Sequence, residues 1–374
     1  MDIIALLLDG FVIAFQPLNL IVIIVGVIVG LFIGAMPGLG SVNGVAILLP
    51  MTFLVPPASA IIFLAALYYG AMYGGAISSI MLGIPGASTA VATTFDGRPL
   101  ALKGKADKAL ITAAMASFIG GTISILLFTG FAPMLANIAL DFGDQEIFAL
   151  MLLAFATFVG LSGDDIPKTI FSICIGLVFS TVGLDIMSGE PRLIFFDIIG
   201  FMHGINFLVL AIGIYGIGEM MWTIESNRED SSMSKAVISM RGIMDSIRDM
   251  VRTWFSWTTG SLLGFFVGIL PAAGATPGSL MAYGVAKMSS KEPDKFGKGE
   301  VAGVVAPESA NNAASTGSLL PMLTLGIPGS PTTAILLGGM VIWGLTPGPL
   351  LFVQEKEFVW GLIGSLYVAN FFAV

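Results

Sequence analysis

Small polar side chains gather just after two pairs of proline–glycine strings, and their types suit the handling of ions. Met36-Pro37-Gly38-Leu39-Gly40 leads into Ser41 and Asn43, and Ile84-Pro85-Gly86 leads into Ser88 and Thr89. Later, Pro271 and Gly274 precede Thr276, and Ile327-Pro328-Gly329 runs into Ser330, Thr332 and Thr333, with Asn311-Asn312 between the two. Hydroxyls and amides coordinate sodium through oxygen and donate hydrogen bonds to a carboxylate. A helix restarting after a break presents free N–H groups and a partial positive charge, which suits an anion. The candidate substrate-binding set is Gly38, Gly40, Ser41, Asn43, Ser88, Thr89, Gly274, Thr276, Asn311, Asn312, Ser330, Thr332 and Thr333. Asn43, Thr89, Asn312 and Thr332 are the candidate sodium ligands. Serine, threonine and glycine also pack membrane helices together, which is their competing role.

Charge narrows the chemistry further. No lysine or arginine occurs in either motif region, so an anion there must be held by dipoles and neutral donors. Asp96 and Glu308 are the carboxylates adjoining the motifs; each is either a proton carrier or a loop-edge, cap or salt-bridge residue. With so few titratable groups, sodium is favoured over protons as the coupling ion. No metal-ligand spacing and no nucleophile–base set is present, so no enzyme and no bound cofactor are expected. An anion channel or a membrane-embedded enzyme is the alternative. A channel needs a polar stripe through several helices, and an enzyme needs acid–base groups at depth. Long charge-free runs offer neither outside the motifs.

The elements that must position these residues repeat. Gly30-Leu31-Phe32-Ile33-Gly34-Ala35-Met36-Pro37 is echoed by Gly264-Phe265-Phe266-Val267-Gly268-Ile269-Leu270-Pro271, an offset of 234 residues. Leu82-Gly83-Ile84-Pro85-Gly86 returns as Leu325-Gly326-Ile327-Pro328-Gly329, an offset of 243. The difference fits an insertion in the polar loop Ser289–Val301. Proline removes a backbone donor and glycine favours turns, so helices break at each motif. In hydrocarbon an unpaired backbone group costs several kcal/mol, so breaks survive where protein, ligand or water satisfies them. Paired interrupted segments in corresponding halves point to a transporter binding site.

The membrane itself is written in the composition. Of 374 residues, 56% are hydrophobic and 11% charged, against roughly 25% charged in soluble domains. No charged residue or histidine occurs over Gly10–Phe95, Thr258–Ala286 or Ser309–Gln354, each long enough for a crossing of about 20 residues. The basic clusters around Arg98–Lys108, Arg228–Arg252 and Lys287–Lys298 belong on the cytoplasmic side by the positive-inside bias. Crossings at about 110–138, 147–161, 169–186 and 197–222 then return the chain to that side, as parity requires. The same parity makes the two halves opposite in orientation. The expected fold is an all-α polytopic membrane protein of two inverted repeats, each with a re-entrant hairpin and a Pro/Gly-broken helix. Residues 1–222 form the first repeat, 223–256 a cytoplasmic linker and 257–374 the second repeat. Within the linker, apolar residues spaced by three or four over Met233–Met250 predict an amphipathic helix. Asp164-Asp165, followed by Pro167, reads as a turn, and the lone His203 as a packed or interfacial histidine. Cys174 is the one cysteine, which excludes an intramolecular disulfide. No positive n-region precedes the first apolar run, so the N-terminus is read as retained; the apolar end at Phe371–Val374 reads as truncated.

In strings such as these the chain resembles the large membrane subunit of the tripartite tricarboxylate transporter family, the TctA type. The resemblance covers nearly the whole chain. It is carried by Met36-Pro37-Gly38-Leu39-Gly40, by Tyr68-Tyr69-Gly70-Ala71-Met72-Tyr73-Gly74-Gly75, and by Ile84-Pro85-Gly86 with Asp96-Gly97-Arg98-Pro99. In the second half it rests on Ala306-Pro307-Glu308-Ser309-Ala310-Asn311-Asn312-Ala313-Ala314, Leu325-Gly326-Ile327-Pro328-Gly329-Ser330 and Thr346-Pro347-Gly348-Pro349-Leu350. It implies a permease in the bacterial inner membrane, a small membrane partner subunit, and a periplasmic solute-binding protein that delivers a carboxylate. Ion-coupled symport of di- or tricarboxylates by alternating access is the expected activity, with sodium or a proton as coupling ion and no nucleic-acid partner.

Overall fold

The computed structural model describes residues 3–161, 166–184, 190–194, 199–205, 240–271 and 273–374, with 210, 213 and 221 singly. The expected turn at Asp164-Asp165, most of the crossing at 197–222, the linker before residue 240 and the side chain of His203 lie outside them.

Helices dominate. The first half holds α1 (Ile3–Ala14), α2 (Pro17–Ala35), α3 (Gly40–Leu48), α4 (Pro57–Met81), α5 (Val91–Leu102), α6 (Ala106–Leu140), α7 (Asp144–Leu161) and α8 (Ile166–Ser180). After a short antiparallel pair, β1 (Gly183–Leu184) with β2 (Pro191–Arg192), come α9 (Met240–Arg252), α10 (Trp254–Ile269), α11 (Ala275–Ser289) and α12 (Ala302–Leu325). They are followed by α13 (Pro331–Ile342), α14 (Leu351–Gln354) and α15 (Lys356–Phe372). The crossing expected over 169–186 is shorter than the apolar pattern suggested. Its helix ends at Ser180, and Gly183, at φ 122°, carries the chain into β1.

Three described helices, α2, α4 and α6, are long and apolar enough to cross a membrane. Their surroundings fit that reading. Ile4, Leu8, Val12 and Phe32 on α1 and α2, Leu126 and Met134 on α6, and Phe171 on α8 all point outward, where lipid rather than water suits them. The interior is built instead around α4 and α12. The run from Leu64 to Ala76 is buried throughout, as is that from Gly303 to Thr324. The amphipathic helix expected in the linker is present as α9. It turns Met240, Met244, Ile247 and Val251 outward and anchors itself inward by Asp249, which pairs with Lys108 at 2.5 Å.

The helices break where proline and glycine stand. α2 stops at Ala35 and α3 starts at Gly40, while α10 stops at Ile269 and α11 starts at Ala275. Gly40 (φ 64°) and Gly274 (φ 66°), counterparts in the echo, both take the left-handed conformation that favours glycine. So do Gly83 (φ 73°) and Gly326 (φ 70°), which close α4 and α12.

The two halves also repeat their packing contact by contact. A Cβ placed on Gly26, Gly30 or Gly34 of α2 would strike the carbonyl of Phe63, Leu67 or Ala71 on α4. On Gly260, Gly264 or Gly268 of α10 it would strike the carbonyl of Ala306, Ala310 or Ala314 on α12. Every glycine in the second set is 234 residues beyond its counterpart, and every carbonyl 243 beyond. The correspondence extends to Gly74 against Leu31 and Gly317 against Phe265, and to Gly86 against Gly34 and Gly329 against Gly268. Lipid gives helices no hydrophobic drive to associate, so close backbone approach through small residues supplies the attraction. The internal repeat is thus a repeat of packing as well as of sequence.

Candidate functional site: a cavity between the helix breaks

Both sets of breaks open onto one cavity of about 500 Å³, within the roughly 300–1,000 Å³ of small-ligand pockets. α3, α11, α13 and a 3-10 turn at Ser88–Ala90 that leads into α5 all begin at its wall. The first N–H groups of a helix have no partner within it, and none of these starts carries an acidic residue in its first turn, though Ser330 caps one amide of α13. No charged side chain lines the cavity. The partial positive charges of the helix starts therefore stand uncompensated, a field suited to an anion.

Hydrogen bonds across the cavity join one half to the other. Ser41 and Thr332 share one at 2.9 Å, and the Thr276 hydroxyl donates to Ser88 at 3.3 Å. Ser279 donates to the Thr89 carbonyl at 3.0 Å; within the second half, the Gly274 amide donates to the Gly329 carbonyl at 2.9 Å. In each case the start of a broken helix in one half meets the region after a break, in the other half or its own. From the unbroken α4, Tyr68 brings its hydroxyl to Ser318 (3.2 Å) and Ser330 (3.4 Å). Asn43 is 6% exposed and its amide oxygen has no hydrogen-bond partner among the described residues. An orphaned buried acceptor is satisfied by a cation or a donor.

Of the residues singled out in the sequence, Gly38, Gly40, Ser41, Asn43, Ser88, Thr89, Gly274, Thr276, Ser330 and Thr332 line this cavity. Thr333 lies behind it. Its hydroxyl accepts from the Ser330 amide at 2.9 Å while Ser330 caps the Thr333 amide, a reciprocal cap that sets the start of α13. Asn311 and Asn312 are not on the wall. They sit within continuous α12, some 14 residues ahead of Gly326, or about 20 Å along a helix rising 1.5 Å per residue. Asn311 donates to the Met72 carbonyl at 3.4 Å and Asn312 to the Glu308 carbonyl at 3.2 Å, and neither amide oxygen has a partner. Tyr68 and Met72 of α4 line the cavity without having been singled out for it. They come from an unbroken helix, and the Tyr68-Tyr69 run carries no local sign that one ring faces a site.

The adjoining carboxylates play other parts. Asp96 is fully buried and accepts from Tyr283 (3.0 Å) and from the backbone amides of Gly297 (3.0 Å), Gly299 (2.7 Å) and Glu300 (2.7 Å). It clasps the loop ahead of α12, the cap-like role among the alternatives for it. Glu308, on α12, accepts from Thr93 and, at 2.9 Å, from Ser117.

A family model described as the tripartite tricarboxylate transporter TctA family matches residues 20–374. The chain belongs to that family. Among similar proteins, one from Agrobacterium vitis, described as an uncharacterized 52.8 kDa protein in the TAR-I ttuC' 3' region, is 38% identical over the whole chain and 74% of its own length. A second from the same organism, an uncharacterized protein in the TAR-II ttuC' 3' region, is 42% identical over 111 residues, 30% of this chain and 46% of the relative. No solved structure matches. Membership of TctA makes this chain a membrane component of a tricarboxylate transporter, one that works with partner subunits.

Proposed function

We propose that this chain is the multi-pass inner-membrane permease subunit of an ion-coupled secondary transporter. It takes up di- or tricarboxylates handed over by a periplasmic solute-binding protein, beside a small membrane subunit, by alternating access around the central cavity. The observation that carries the reading is the convergence of several uncompensated helix starts, drawn from both halves, on one uncharged cavity. Such a site stabilises carboxylate groups without a fixed cation, so the anion remains free to leave. The orphaned oxygen of Asn43, with hydroxyls and carbonyls around it, supplies ligands for sodium as the coupling ion.

Substrate counterflow in proteoliposomes carrying all three components tests this. Saturable exchange of labelled carboxylate is expected, slowed when choline replaces sodium. Unsaturable leak identifies a pore, and indifference to choline rejects sodium. In the same assay Thr332→Ala and Ser41→Ala each remove a cavity hydroxyl. Loss of one charge-assisted hydrogen bond is about 1.5–3 kcal/mol, so roughly tenfold to hundredfold weaker apparent affinity is expected. Thr324→Ala is the control. Its hydroxyl donates to the Leu320 carbonyl four residues back within α12, a local bond that joins no second helix and that the helix tolerates losing, so affinity should stay near wild type. Equal modest losses in all three would place the binding site elsewhere.

The repeats are proposed to insert with opposite orientation, each offering a re-entrant hairpin. The basic clusters at Arg98–Lys108 and Lys287–Lys298 motivate this, because both belong on the cytoplasmic side while the echo places them differently in the two halves. Single cysteines at Ala58 and Ser290 should then react with an impermeant thiol reagent from the outside and the inside respectively. Reaction of both from one side rejects inversion.

A further inference from the structure

Glu308 is a buried carboxylate that the cavity does not use. It is 0% exposed, on a helix buried on all sides. Its carboxylate receives Thr93 of α5 on one oxygen and Ser117 of α6 on the other, and it makes no ion pair with any described residue. The elements packed against α12 offer no free cation for it. α10, α13 and α14 contain no titratable side chain. On α6, Lys108 is held by Asp249, and on α5 the Arg98 guanidinium donates to the Met81 carbonyl while Asp96 is taken by its own clasp. On α11, Lys287 is exposed and Tyr283 donates to Asp96. On α4, Tyr73 is the titratable neighbour, and its hydroxyl is committed to Asn370 at 2.6 Å.

An ionised carboxylate in such a place carries a desolvation penalty that two hydroxyl bonds do not offset. A proton removes the charge and leaves both hydroxyls as usable partners, since each donates or accepts. The acid also brings a donor to a neighbourhood short of one. Asn312, one helical turn away and fully buried, has an amide oxygen without a partner. Farther along α12, Ser318 meets Tyr68 and Ser330 on the cavity wall. Thr93 belongs to the helix whose leading turn forms another part of that wall. The helix that carries Glu308 and the helix that carries its partner Thr93 thus both reach the cavity wall.

We propose that Glu308 is a proton-binding site of the transport cycle. Its carboxylate takes a proton from water on one side, is neutral in the arrangement described here, and returns the proton to water on the other side when α5 and α6 move apart. The inference rests on the carrier reading, and adds a proton to whatever ion the cavity binds.

Two measurements on the intact transporter test it. Infrared difference spectra of wild type against E308Q at neutral pH should contain the C=O band of one un-ionised carboxyl group, and E308D should retain a shifted band. With a trapped pH indicator, wild-type proteoliposomes should take up protons with substrate, and the protons moved per substrate should be lost in E308Q. No acid band in wild type at neutral pH overturns the proposal. So do carboxylate bands that shift on adding sodium, which would make Glu308 a sodium ligand, and so does unchanged proton movement in E308Q. Should wild type show no counterflow, the carrier reading fails on its own, and the infrared spectrum still decides the state of Glu308.

Discussion

Asp96→Ala is expected to lower the thermal stability of the detergent-solubilised protein sharply and to reduce its yield in the membrane. The carboxylate receives a tyrosine hydroxyl and three backbone amides, all from the other half of the molecule. Alanine has no acceptor, and a donor left without one costs about 1–3 kcal/mol where water cannot replace it; these four donors lie on partly buried or exposed residues. Water entering from the loop side recovers part of this, so a net loss of about 3–5 kcal/mol is expected. Asp96→Asn should fall between, because its amide retains one acceptor oxygen but turns an N–H₂ toward N–H groups. Melting followed by size-exclusion fluorescence checks the order. An alanine variant that melts with wild type would mean that the clasp is ornamental and that α12 is held at its start by something else.

Gly264→Val is the second large effect. The new Cβ falls on the backbone of Ala310, with Cα at 2.7 Å and the carbonyl carbon at 2.8 Å, and neither atom can rotate away. Overpacking a well-filled interior costs roughly 1–3 kcal/mol when side chains can shift. Here two helices must part, so the loss belongs at or above the top of that range. Gly30→Val meets Leu67 in the same way and should behave alike. Gly284→Ala is the opposite case. A Cβ there has nothing within 4 Å, and a freed helical glycine gains about 0.4–1 kcal/mol on going to alanine. Equal stability of Gly264→Val and Gly284→Ala would contradict the backbone contact.

Much of the cavity could be read from the sequence because its makers are local. Proline with glycine close behind it marks the breaks at Pro37, Pro85, Pro271 and Pro328, although a lone proline such as Pro307 or Pro321 is carried inside continuous α12, and the hydroxyls that follow a break are within a turn of it. Ser41, Thr89, Thr276 and Thr332 were legible for that reason. Tyr68 and Met72 were not, since an uninterrupted helix gives no sign of which turn faces a distant break. Asn311 and Asn312 show the converse: they stand about four turns ahead of the break on continuous α12, where Asn311 backs the wall residue Met72 without itself lining the cavity. Asp96 lay between these cases. Its burial and its partners at Gly297–Glu300 depend on a loop some 200 residues away, which no local pattern encodes. The all-helical membrane class was plain from hydropathy, whereas the early end of α8 was not, because apolar composition continues past Ser180 and only backbone conformation stops it.

Backbone-on-backbone packing also governs how freely this sequence can drift. Where a carbonyl occupies the space of a Cβ, glycine is the one admissible residue, so two copies of a unit stay alike there however long they diverge. Gly30 and Gly264, Gly34 and Gly268, Gly74 and Gly317, and Gly86 and Gly329 are such pairs. Between them Leu31 has become Phe265 and Ile33 has become Val267, while Tyr68-Tyr69 stands opposite Asn311-Asn312. Gly70, opposite Ala313, is a departure. The echo within the chain is thus a steric record: it marks the places where one helix leaves another no room to change.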